Sequence, residues 1–371
     1  MRIALIIFPI HASHGCILQT YALYRTLQRM GHYVSIIDRQ WNKSSLKSQV
    51  VYAAKSLVFS IIGKCINPLT VKRTRQIIMS ELQTFLDKHL SGRYIYFRNP
   101  RYEELPPYDA FIVGSDQTWR PKYVSDILYY YLCFVPEDIK VKRIAYAPSF
   151  GTEEWEYSEQ QTLQCRELAG RFDAIAVRED SGVTLCSKYL GIDAGHVLDP
   201  TMLFNKEDYL KETGIAPNEQ SKLSYYLLDH SRGKMQIVEK ICNVLNLTAQ
   251  RINTETENNR ANIKERIAPS IEKWMMGFTN SKFIVADSFH ATVFAIIFNK
   301  PFITIANRGR GIARFESLLT MFGLENRLIA EIGQVTPDLV RQSIDWDKVN
   351  ETMAAKQSAS LDYLIFNLRD N

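Results

Sequence analysis

The chain has 371 residues, 46% of them hydrophobic and 23% charged, with 45 basic against 40 acidic side chains. That length exceeds what one core usually organises, and the balance excludes a disordered or fibrous protein. Six cysteines without a C-x-x-C pair argue against zinc sites of the usual spacing and against a disulfide framework, and fit a reducing, cytoplasmic setting.

The predicted elements begin with Ile3–Phe8, an apolar run suited to a buried parallel strand. Arg2 in front of it imitates a signal peptide, but the run is short and reads as a strand. After a loop over Pro9–Gly15, Leu18, Tyr21, Ala22, Leu27 and Met30 form one helical stripe, stopped by Gly31. A second strand, Tyr33–Asp38, completes a βαβ unit. Between Lys43 and Arg101 stand eleven Lys or Arg against two acids, Glu81 and Asp87. Val50–Ile62 has apolar residues at helical spacing among these lysines. Such a helix fits peripheral contact with the inner face of a membrane through residues 43–75. Packing on its own domain is the commoner fate and the preferred reading. The stretch has little aromatic interleaving and no recognised module, which speaks against nucleic acid.

Further strands are expected at Ala110–Val113, Arg143–Ala147, Ala174–Val177 and His196–Leu198, with a helix at Glu179–Leu190. The Pro- and Gly-bearing stretch Asp199–Pro217 reads as a linker. A second series follows: strand Ser224–Leu228, helices Gly233–Leu245 and Ile271–Thr279, strand Phe283–Ala286, helix Ala291–Phe298 and strand Phe302–Ile305. The fold class is therefore α/β, with two Rossmann-like doubly wound domains facing a cleft. Their expected bounds are residues 1–205 and 206–350, with a C-terminal helix over 351–371 packing back on the first. In open parallel sheets ligands sit beyond the C-terminal strand ends, so function should lie in the loops after Phe8, Val113, Ala147, Ala286 and Ile305.

Six stretches carry chemistry. Gly15, followed by Cys16 and Gln19, sits at a strand-to-helix turn where backbone and helix N–H groups can meet an anion. A single glycine there more often just starts a helix, and no G-x-G-x-x-G supports a dinucleotide. Ser115, Asp116, Gln117 and Trp119 crowd a hydroxyl, a carboxylate, an amide and an indole at a strand end. This vocabulary suits a sugar and equally a helix cap. Ser149 and Phe150 lie in a similar strand-end turn. Arg178, Glu179 and Asp180 open a helix, where the acids favour the dipole and the structural reading leads. His290, beside Asp287 and Ser288 just past an apolar strand, suits proton transfer at the cleft mouth; the alternative is a histidine that caps the helix or pairs with Asp287. Arg308, Arg310 and Arg314, spaced by glycines, form a cationic loop fit for phosphate or carboxylate. No residue set calls for a metal or a cofactor.

The ordered set resembles the polysaccharide pyruvyl transferase family. The motifs are Gly-x-Ile-Leu-Gln-x-Tyr-Ala-Leu at 15–23, Gly-His-x-Val at 31–34, Ile-Val-Gly-Ser-Asp-Gln-x-Trp at 112–119 and Tyr-Ala-Pro-Ser-Phe-Gly at 146–151. Val-Arg-Glu-Asp-Ser-Gly at 177–182, Val-Leu-Asp-Pro-Thr at 197–201, Asp-Ser-Phe-His at 287–290 and Phe-Asn-Lys-Pro-Phe-Ile at 298–303 continue the series. The resemblance implies a GT-B-like fold and transfer of pyruvate from phosphoenolpyruvate to a sugar as a cyclic ketal, in capsule or exopolysaccharide synthesis. The family's characteristic histidine falls on His290. Some members carry an arginine two places earlier that binds phosphoenolpyruvate; here Ser288 stands there, so the charge would have to come from Arg308, Arg310 or Arg314. Asp116 would bond or activate the sugar hydroxyl, and the acceptor can be lipid-linked. The competing expectations are a nucleotide-sugar glycosyltransferase on the same fold and a non-catalytic sugar- or carrier-binding relative.

Overall fold

The computed structural model describes residues 1–40, 71–307 and 311–369. Most of the basic amphipathic segment, together with Arg308 and Arg310, lies outside them. Seven parallel strands form the first sheet: β1 (Arg2–Ile6), β2 (Tyr33–Arg39), β3 (Arg93–Tyr96), β4 (Ala110–Val113), β5 (Lys142–Tyr146), β6 (Ala174–Val177) and β7 (Gly195–His196), in spatial order 3-2-1-4-5-6-7. The second, also parallel, contains β8 (Lys222–Tyr226), β9 (Thr248–Arg251), β10 (Phe283–Ala286), β11 (Phe302–Ile305) and β12 (Leu328–Ile329), in order 12-11-10-8-9. The expected pair of doubly wound, GT-B-like sheets is what the chain forms.

Side-chain alternation along the strands sorts the apolar residues into three cores. Ala4, Ile6, Phe111 and Val113 face an outer core of the first sheet, and Leu223, Val285 and Ile303 an outer core of the second. Ile3, Leu5, Ile112 and Ile144 share one core with Ile284, Ala286, Phe294 and Trp274, so a single apolar layer spans both sheets. The helix Trp346–Asn367 returns to the first sheet: Tyr363 Oη donates to the Ala145 carbonyl at 3.0 Å, and the Leu198 N–H donates to Ser360 Oγ at 3.0 Å. Among the described residues no helix is long and apolar enough to cross a membrane.

Three strands escape the hydrophobic pattern. β3 and β9 are sheet edges with largely exposed or polar residues, and β12 is two residues long. The expected linker is a further correction. Asp199 and the 3₁₀ turn Pro200–Leu203 are buried, and Lys206–Thr213 is a helix closed by Asn205 and by Gly214 in the left-handed region. Proline and glycine here cap short helices.

Candidate functional site

Both sheets reverse strand order beside a central strand, β1/β4 in the first and β8/β10 in the second, and the loops leaving those strands face one another. Between them lies a cleft of about 740 Å³. From the first domain come the Phe8–Gly15 turn, Asp116, Gln117 and Tyr123; from the second come the loops at 228–230 and 251–258, Asp287–His290 and Arg314. The 251–258 loop follows β9, the polar edge strand that periodicity does not reveal.

His290 lies in the first turn of the helix Phe289–Ile297, with its ring packed against Gly15. A Cβ at position 15 would stand 2.2 Å from Nδ1, so the glycine exists here for the close approach of a side chain from the other domain. The other nitrogen, Nε2, is buried, has no hydrogen-bond partner among the described residues and stands 3.5 Å from Asp199 Oδ2. Asp287 is turned elsewhere: it accepts from Lys234 Nζ at 2.6 Å and from the Leu228 N–H at 2.6 Å. The carboxylate facing His290 is thus Asp199, distant in sequence.

Asp199 is the hub of a buried charged cluster. Thr201 Oγ1 donates to Oδ1 at 2.6 Å, while Arg178 Nη1 and Ser115 Oγ donate to Oδ2 at 2.7 and 3.4 Å. Burial opposes its charge, but the His290 and Arg178 charges and the Thr201 hydroxyl hold the carboxyl well below the usual carboxylate range. Arg178 also stands 3.8 Å from Asp116 and lies over the Phe289 ring at 4.6 Å. Arg314 is 5.3 Å from the centroid of that ring. Burial and the neighbouring Arg178 charge lower its guanidinium to about 10. Two cations therefore gather around one aromatic ring beside His290.

Asp116 sits in the left-handed region, φ 69°, directly after the strand-end Gly114–Ser115. Gln19 Nε2 donates to its Oδ2 at 3.0 Å. Desolvation raises its pKa, but the charges of Arg178, His290 and Arg314 outweigh this and keep it below the ordinary carboxylate range. Glu179 does more than favour a helix dipole: its Oε1 accepts from Ser149 Oγ, the Phe150 N–H and the Gly151 N–H at 2.7–3.0 Å, pinning the turn after β5.

Of the residues singled out in the sequence, Gly15, Asp116, Gln117, Ser288, His290 and Arg314 line the cleft. Gln19, Ser115 and Arg178 stand behind it, holding Asp116 and Asp199. Ser149 and Phe150 belong to the pinned turn. Cys16 is buried, with its thiol raised well above its usual value by desolvation. Trp119 offers no sugar platform: it is fully buried, stacked on Tyr131 at 4.5 Å, with Nε1–H donating to the Tyr130 carbonyl at 3.0 Å. A strand-end indole in an all-parallel sheet is as readily covered by the next loop as left in the cleft. Asp199 and His14 were missed as site residues. Asp199 carried a signal, an acid directly after a short apolar strand, but the following proline and glycine drew it into a linker.

Solved structures of similar outline have low identity. The UDP-GlcNAc 2-epimerase of Neisseria meningitidis bound to UDP-GlcNAc matches with a TM-score of 0.46 and 11% identity over 99% of each chain. The UDP-GlcNAc 2-epimerase of Methanocaldococcus jannaschii in complex with UDP-GlcNAc and UDP gives 0.44 and 12%, also over 99% of each. The E. coli heptosyltransferase WaaC with ADP gives 0.39 and 13% over 92% of this chain and 98% of that one. No curated protein matches by sequence. The family model for polysaccharide pyruvyl transferase matches residues 14–309, a span that takes in His14, Gly15, Asp116, Arg178, Asp199 and His290, and the chain belongs to that family.

Proposed function

We propose that this transferase moves pyruvate from phosphoenolpyruvate to a sugar diol, closing a cyclic ketal and releasing inorganic phosphate. The observation that carries the reading is His290 on the cleft wall, backed by Asp199 and flanked by Arg178 and Arg314. The donor is a small dianion-bearing carboxylate, and guanidinium groups suit both of its charged ends. Ser288 supplies no charge, so Arg314, which reaches the cleft, is assigned the anion contact.

His290 gives its proton to the methylene carbon, which becomes the methyl group, and the adjacent carbon becomes oxocarbenium-like. One sugar hydroxyl forms the first C–O bond and loses its proton, which restores His290. Phosphate leaves with the bridging oxygen as the bond between that oxygen and the central carbon breaks, which makes the carbon oxocarbenium-like a second time. The second hydroxyl then closes the ring, and its proton leaves with phosphate. Asp116, held ionised, orients a hydroxyl and faces the developing positive carbon; so acidic a carboxylate is a weak base. The capsule or exopolysaccharide setting, the lipid-linked acceptor and the cytoplasmic location belong to this same proposal. The test is phosphate release and ketal formation from phosphoenolpyruvate with sugar acceptors. Glycosyl transfer from nucleotide sugars without any reaction of phosphoenolpyruvate, or no phosphate release with any acceptor, sinks the assignment.

A further inference from the structure

Of the other histidines that line the cleft, His14 is the one held by a contact from the second domain, and it belongs to none of the steps above. It is the first residue of the helix His14–Arg29, it lines the cleft, and its neighbour Gly15 carries the ring of His290. Its Nε2 lies 2.8 Å from the carbonyl oxygen of Pro269, in the second domain. A carbonyl only accepts, so Nε2 carries the hydrogen and Nδ1 carries the lone pair. The ring stacks on Trp274 at 5.0 Å with planes 8° apart, which fixes its tilt. Burial lowers its pKa to about 4, so the imidazole stays neutral through the physiological range and presents an acceptor.

The cleft is therefore divided by chemistry. Arg314 reaches the cleft on the side of His290 and Phe289 and is the cation placed to meet an anion there. A neutral ring whose remaining nitrogen is an acceptor offers nothing to phosphate or carboxylate, and takes a hydrogen-bond donor. We infer that His14 Nδ1 is a binding site for a hydroxyl of the sugar acceptor, setting that hydroxyl within one residue of the His290–Gly15 contact. The inference rests on the pyruvyl-transfer reading for the identity of the acceptor, but its geometry does not depend on the donor. With a pKa so low, the ring orients the hydroxyl and is a poor proton abstractor.

The experiment uses the full chain and three probes, the methyl hexopyranosides of gluco, galacto and manno configuration, with phosphoenolpyruvate as the second ligand. Hexoside binding is read by saturation-transfer NMR and phosphoenolpyruvate by thermal shift, in wild type, His14→Phe and His14→Asn. Phenylalanine keeps the stack and removes the acceptor; asparagine keeps an acceptor and a donor in one amide. The expected result is roughly tenfold weaker hexoside binding in H14F, the size of one neutral hydrogen bond, with the phosphoenolpyruvate shift unchanged and partial recovery in H14N. Hexoside binding within twofold of wild type in H14F overturns the inference. So does equal loss of both ligands in both variants, which assigns the ring to structure alone. Wild type that binds hexosides but not phosphoenolpyruvate removes the donor assignment and leaves the subsite standing. Wild type that binds phosphoenolpyruvate but no hexoside removes the subsite.

Discussion

His290, Asp199 and His14 divide the work at the residue scale. Replacing His290 by alanine removes the proposed proton donor, and turnover should fall by about 10²–10⁴-fold with the thermal transition retained; near-normal rates would assign the acid elsewhere. Asp199→Asn leaves Arg178 buried beside a neutral amide. Breaking a buried pair in this way costs about 3–5 kcal/mol, measurable by urea unfolding. His14 adds a pH dependence. Its imidazole is free to protonate near 6.5 when unfolded but only near 4 when folded. Between those values the unfolded chain binds the extra proton, so stability is full above about 6.5 and falls as the pH drops towards 4, by about 3 kcal/mol. Unfolding free energies measured from pH 7 to pH 4 should show this loss in wild type and lack it in H14F. An identical pH profile in both would contradict the buried neutral ring.

Glycines decide how closely the elements of the two domains approach. Gly15→Ala places a methyl group where the His290 ring lies, so the helix Phe289–Ile297 or the ring itself must move. Overpacking of this kind typically costs about 1–3 kcal/mol, and here the loss of turnover should far exceed the loss of stability. Gly311 makes the same point at the other side: φ is 98°, and a Cβ would meet the Gly151 carbonyl oxygen at 2.1 Å, so the turn after β11 and the turn after β5 touch through backbone. Much of this level was legible in the chain. The central strands were readable because parallel strands buried on both faces are continuous apolar runs. The edges β3 and β9 were not, since an exposed edge needs no such run; with β9 went the 251–258 loop, a large part of the cleft lining. Trp119 and Phe150 were readable as residues at strand ends, but whether a strand-end side chain faces cleft or core depends on the loop that folds over it.

For the molecule as a whole, a ligand that binds the folded state raises apparent stability by RT ln(1 + [L]/Kd). Millimolar phosphoenolpyruvate should therefore raise the melting temperature of the wild type, and Arg314→Ala should reduce or abolish the shift. An undiminished shift would move the anion site away from the Phe289 ring. The 43–75 segment permits a separate test: co-sedimentation with anionic vesicles, weakened when Lys43, Lys47, Lys55 and Lys64 become glutamine, is expected if the acceptor is lipid-borne. The amino-acid sequence by itself determined the two doubly wound domains, the strand-end position of His290 and Asp116, and the family, because hydrophobic period and local motifs are properties of contiguous residues. Tertiary structure alone decided that His290 faces Asp199 while Asp287 turns to Lys234, that Arg178 stands behind the cleft as the link between Asp116 and Asp199, and that His14 is a neutral acceptor. Each of those depends on pairs 21 to 255 residues apart, whose meeting is set by how the two sheets pack around a shared core.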